Sequence, residues 1–147
     1  MREVRDQHIV VIGAARSGMA AATLLRKKGA IVFVTEQQRL PEQTRQHLEA
    51  LDIPYEENGH TDRALEGAFA VVSPGVPTEA PVVQQYLEQG KQVYSEIEVA
   101  SWFNRDPMVA VTGSNGKTTV TSWLGHTWKC SARNVTVAGN IGQAFSD

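Results

Sequence analysis

Four apolar, β-branched residues stand side by side at Ile9-Val10-Val11-Ile12 and end on Gly13. A run without polar alternation has no face for water. It predicts a strand covered on both sides, as in a parallel sheet flanked by helices. Residues 31–35 and 68–72 repeat the pattern. Between the first two runs, Gly13-Ala14-Ala15-Arg16-Ser17-Gly18 opens a helix with Met19, Ala22 and Leu25 facing inward, and Gly29 closes it. Strand, helix and strand in this order predict a βαβ unit and an α/β chain with a Rossmann-like parallel sheet.

The rest of the first hundred residues fits such a sheet. Residues 40–51 predict a surface helix, with Pro41 in its first turn and Leu48 and Leu51 inward. Residues 53–56 predict a short strand, 61–66 a helical turn, 80–88 a helix and 92–94 another strand. Ser95 is placed to cap a helix reaching about Phe103, and Glu96 and Glu98 in its first turn answer the helix dipole. His60 has no nucleophile nearby in sequence and reads as a loop residue. The polar stretch Asn104-Arg105-Asp106-Pro107 marks a domain boundary, giving units 1–106 and 107–147.

The second unit opens on the apolar run 108–111, read as a strand, which stops at Thr112-Gly113-Ser114-Asn115-Gly116-Lys117-Thr118-Thr119. A helix to about Ala132 follows, with Trp123 and Trp128 read as core, and then a strand at 134–138. Strand, glycine turn with Lys-Thr, and helix form the layout of a phosphate cradle. Gly113 and Gly116 let backbone N–H groups close on phosphate oxygens, and the helix points its positive end at the same place. The Lys117 ammonium can reach β- and γ-phosphates, and the Thr118 hydroxyl can ligate Mg²⁺. The glycine usual six residues before the lysine is Val111 here, so the loop is shorter than the common pattern.

The early turn is ambiguous by itself. Ala15 replaces the middle glycine of a dinucleotide fingerprint, while Glu36 stands at the end of the second run where a nicotinamide site keeps its ribose-binding acid. An NAD site and a plain structural turn are both compatible with that signal. Ser73-Pro74-Gly75-Val76-Pro77 follows the third run, at a strand's carboxyl end where ligands bind in open parallel sheets.

These motifs together resemble the Mur ligases, the amide-forming enzymes of peptidoglycan precursor synthesis. Residues 112–119 match that family's shortened ATP-binding loop, TGxNGK[ST]T. Gly13 to Gly18 is similar to its UDP-sugar loop, and Gly139-Asn140-Ile141-Gly142 to its GNIG turn. The Ser-Pro-Gly-Val-Pro turn resembles the D-glutamate-adding branch. The resemblance implies ATP and Mg²⁺ as cofactors, with ATP held by Gly113, Ser114, Asn115, Gly116, Lys117, Thr118 and Thr119. Lys117 would be catalytic and Thr118 would ligate the metal. It implies a UDP-sugar held by Gly13, Arg16, Ser17, Gly18, Glu36, Ser73, Pro74, Gly75 and Asn140, with Glu36 near the uracil. The implied reaction activates the carboxylate of UDP-N-acetylmuramoyl-L-alanine as an acyl phosphate, which the amine of D-glutamate then attacks.

From residue 108 on there are too few residues for a self-supporting domain. The resemblance therefore implies the truncated start of a P-loop ATPase domain, and a chain that is a piece of a longer ligase, inactive alone. The acid for Mg²⁺, a carbamylated lysine and the D-glutamate pocket would lie elsewhere. Composition agrees: the formal net charge of −2 gives no general pull toward nucleic acid or anionic membrane. No stretch reaches the ~20 apolar residues of a membrane span. The one cysteine, Cys130, read as an apolar filler, excludes a disulfide framework. A cytoplasmic monomer is the expectation. Two alternatives stay open: an NAD-dependent oxidoreductase using Gly13 to Gly18 with Glu36, and a non-catalytic nucleotide-sugar-binding domain.

Overall fold

β1 (His8–Ile12) takes the middle of a parallel sheet because both of its faces are apolar. The computed structural model describes residues 3–139 and 143–147. After β1 come α1 (Arg16–Lys27), β2 (Ile31–Thr35), α2 (Glu42–Ala50), β3 (Tyr55–Glu56), a 3₁₀ turn (Asp62–Leu65), β4 (Phe69–Val72), α3 (Pro81–Glu88), β5 (Gln92–Ser95), α4 (Glu96–Ser101) and α5 (Lys117–Cys130). The five strands lie in the order β3-β2-β1-β4-β5 and every pairing is parallel. The chain fills one side of β1 first, then crosses to the other.

Register follows from the apolar alternation across β1. Ile9 opposes Val32 and Phe69, and Val11 opposes Val34 and Val71. Ile9 and Val11 share a core layer with Ala21, Ala22 and Leu25 of α1 and Val99 of α4. Val10 and Ile12 point the other way, into Val82, Val83 and Tyr86 of α3. Each such aliphatic side chain stabilises the fold by about 1.5–3 kcal/mol on burial. Phe69, Tyr94 and Trp102 pack edge to face at centroid distances of 5.3, 5.7 and 4.9 Å, fastening α4 to the sheet edge.

The sheet, its helices and their order agree with the sequence reading; beyond 107 the helix read there is present as α5, but the two strands on either side of it are not. Residues 108–111 form no strand, and Met108 and Val109 are exposed. Residues 134–138 form none either; Ala138 makes only an isolated bridge to Gln143. A strand needs neighbours for its N–H and C=O groups, and none of the described residues past 107 joins the five-stranded sheet. Without a sheet beneath it, α5 has little to pack on. Trp123 is 75% exposed instead of core, and Cys130 is exposed instead of filling a gap. Trp128 is only half-buried.

Candidate functional site

The carboxyl ends of β1, β2 and β4 meet where the strand order reverses. Gly13 leaves β1 at φ +90°, a region that favours glycine, and its amide donates to Thr35 O at 2.9 Å. The Ser73 amide donates to Ile12 O at 2.9 Å, which brings the turn after β4 alongside. A Cβ on Gly13 would lie 2.9 Å from Ser73 Cβ and 2.8 Å from Val76 Cγ2. A Cβ on Gly18 would lie 1.9 Å from Gly13 O. Thus α1 can begin tight against the turn only because both positions lack side chains.

The start of α1 is open to an anion. No side chain caps it, and its first turn holds no acid. The first amides of a helix have no partner within it, and the dipole adds positive potential. Arg16 is exposed and Ser17 half-buried at this end. Ser73 is buried, its carbonyl accepts the Val76 amide at 2.9 Å, and Pro74 and Gly75 are exposed beyond it. The structure therefore brings Gly13, Gly18 and Ser73 together, with Arg16, Ser17, Pro74 and Gly75 around them.

Glu36 belongs to the same corner. Its Oε2 accepts the Ala14 amide at 2.8 Å and its Oε1 accepts the Gln38 amide at 3.1 Å. Sequence reading missed the polar cluster behind it. The Thr35 hydroxyl donates to Glu56 Oε1 at 2.7 Å and lies 2.6 Å from His60 Nδ1. The Thr61 amide and hydroxyl also donate to Glu56, at 3.0 and 2.5 Å. Burial raises the Glu56 pKa, but the Thr61 and Thr35 donors and His60 outweigh it and hold the carboxyl below its ordinary value. A threonine and an acid ending adjacent strands were the available signal.

The later loop is a separate construction. Gly113 and Gly116 have φ of +148° and +76°, and nothing lies within 4 Å of a Cβ built on Gly116. Ser114, Asn115, Thr118 and Thr119 are exposed around the start of α5, which has neither a side-chain cap nor an acid in its first turn. The Lys117 ammonium folds back onto the carbonyls of Gly113 and Ser114. These features fit a phosphate-bearing ligand: an uncapped helix start, an open glycine turn and a cation able to swing outward. Among the described residues no group of three His, Cys, Asp or Glu side chains converges to hold a metal. Asn140 lies outside the described residues.

A family model described as the MurD N-terminal domain matches residues 8–82, from β1 into α3, the stretch that carries Gly13, Gly18, Glu36 and Ser73. The chain belongs to the MurD N-terminal domain family. Relatives extend the match past that domain. A UDP-N-acetylmuramoylalanine--D-glutamate ligase of Salinibacter ruber is 50% identical over 99% of this chain and 33% of its own length. One from Chlorobium phaeobacteroides is 45% identical over 98% of this chain and 32% of its own. The chain thus spans about a third of the length of these curated relatives. Among solved structures, a murein peptide ligase from Psychrobacter arcticus superposes with a TM-score of 0.60 at 24% identity, covering 86% of this chain and 27% of that one. The UDP-N-acetylmuramate-alanine ligase MurC of Thermotoga maritima gives 0.58 at 21% identity, covering 86% and 30%. These two likenesses establish the shared fold. Among the described residues, no helix is long and apolar enough to cross a membrane.

Proposed function

We propose that the chain is the first part of a cytoplasmic, monomeric ligase that joins D-glutamate to UDP-N-acetylmuramoyl-L-alanine at the expense of ATP. In this reading residues 1–106 form a UDP-sugar unit and residues 107–147 begin the ATP unit. The observation that carries it is the contact of Gly13, Gly18 and Ser73 at the strand-order reversal, inside the stretch that matches the MurD N-terminal domain. The α1 amides, with Arg16 and Ser17, hold the sugar nucleotide's diphosphate. Ser73, Pro74 and Gly75 border its sugar, Glu36 faces its uracil end, and Asn140 approaches the diphosphate from the second unit.

The second loop has a different task. The amides of residues 113–119 and the Lys117 ammonium hold the ATP phosphates and offset charge on the phosphoryl group in transfer. The Thr118 hydroxyl ligates Mg²⁺, which when bound neutralises phosphate charge. In this reading the stretch described here, about a third of the relatives' length, binds its ligands without turning them over.

Calorimetric titration of the chain with UDP-N-acetylmuramoyl-L-alanine tests the reading. Heat with the sugar nucleotide, none with NAD, and a weaker response in Arg16→Ala are expected. Binding of NAD in preference to the sugar nucleotide would overturn the assignment in favour of an oxidoreductase.

A further inference from the structure

α4 opens with a carboxylate that the sites above do not use. Glu96 is 2% exposed, and a buried carboxylate is costly unless it accepts hydrogen bonds. Its Oε1 accepts two from Ser146: the amide donates at 2.6 Å, and the hydroxyl donates as well. The two residues are 50 apart in sequence, with all of α5 between them. Ser146 and its neighbour Ala144 are buried too. The Asp147 carboxylate accepts the Ala144 amide at 3.0 Å, which curls this segment so that Ser146 faces α4. On the other side Ser146 and Asp147 border a surface cavity with Arg16, Met19, Ala20 and Thr23 of α1. Glu98, on the same short helix, is exposed. A glutamate serving the helix dipole alone would look like Glu98.

The geometry points to Glu96 as a positioning residue: its buried carboxylate docks the segment that follows α5 into the corner between α1 and α4, and so holds residues 144–147 beside Arg16. The bond ties the stretch that follows α5 to α4, which packs against α1, the helix that opens at the first site. Its consequence for ligand at Arg16 rests on the UDP-sugar reading; the docking itself does not.

Residue-resolved amide hydrogen exchange on the whole chain tests this without ligand. In Glu96→Ala the Ser146 amide is expected to exchange about ten-fold faster or more, the scale of a lost charge-assisted hydrogen bond. Val11 and Val71, in β1 and β4, should change less than about two-fold, because a docked surface segment opens locally. Glu98→Ala should leave Ser146 unchanged. Equal Ser146 exchange in the unaltered chain and in Glu96→Ala would overturn the docking. A parallel loss at Val11 and Val71 would overturn the positioning role and leave Glu96 as a plain support of the fold. Should Glu96→Ala not fold, Ser146→Ala removes only the hydroxyl half from the segment's side. Faster exchange at residues 144–147 there supports the docking, and unchanged exchange rejects it. Failure of sugar-nucleotide binding is read separately, by calorimetry.

Discussion

The Glu36 carboxylate accepts the backbone amide of Ala14 at 2.8 Å, joining the end of β2 to the turn after β1. An acid therefore sits on the rim of a corner that otherwise favours anions. It holds the Ala14 amide and leaves the start of α1 without a side-chain cap. Glu36→Ala removes this bond and the one from Gln38. A loss of about 1.5–3 kcal/mol in urea unfolding is expected, the range for a hydrogen bond to a charged group. An unchanged midpoint would mean that water serves the Ala14 amide equally well.

Two glycines differ in what a side chain would meet. Gly18→Ala drives a methyl to within 1.9 Å of Gly13 O, a backbone atom of the turn whose amide is fixed on Thr35 O. Overpacking of this kind costs about 3 kcal/mol or more. Gly116→Ala meets open space and suffers only from its φ of +76°, a strain of about 1 kcal/mol. Thermal unfolding should show a large drop for the first and a small one for the second.

Stability at high pH should follow Tyr86. Its ring is wholly buried against the sheet and its hydroxyl has no hydrogen-bond partner among the described residues. Burial pushes that hydroxyl up to about 12, outweighing the opposing pull of the nearby Gly67 backbone, which does not meet hydrogen-bond geometry. The folded state therefore keeps the proton after the unfolded chain, with the ordinary value of 10.0, has begun to lose it. The contribution is intact below that value and fades as pH climbs toward 12. Urea midpoints across this range should fall less steeply in Tyr86→Phe. Glu56 has the opposite sense. Its carboxyl is held below the ordinary 4.5, so its contribution is present above that value and is lost as pH falls through the folded one. Glu56→Gln should flatten that acid limb.

Trp123 offers a spectroscopic check on α5. At 75% exposure its emission should be red-shifted and readily quenched by acrylamide. Trp123→Phe should change stability by less than about 0.5 kcal/mol, as for surface sites generally. A blue-shifted, protected Trp123 would show that α5 packs on something.

The three central strands were legible because a continuous apolar run is itself a statement about burial on two faces, and Ile9 to Ile12 obeys it. The same rule misled at 108–111. Apolar residues there express a need for cover, but hydrogen-bonding neighbours must also exist, and no described strand supplies them. Glu36 was legible as an acid at a strand end; that it grips Ala14 was not, because that contact depends on the Gly13 turn. Glu96 showed the converse limit. Local spacing assigned it to the helix dipole, and its partner at Ser146 left no periodic trace.

The placement of β1 has a cost during synthesis. The segment His-Ile-Val-Val-Ile is made first, yet its two partners end at residues 35 and 72. A growing chain therefore carries an unpaired, aggregation-prone stretch until the second partner has left the ribosome. Chaperone capture of nascent chains stalled before residue 72, and release once that residue has emerged, is the outcome this ordering requires.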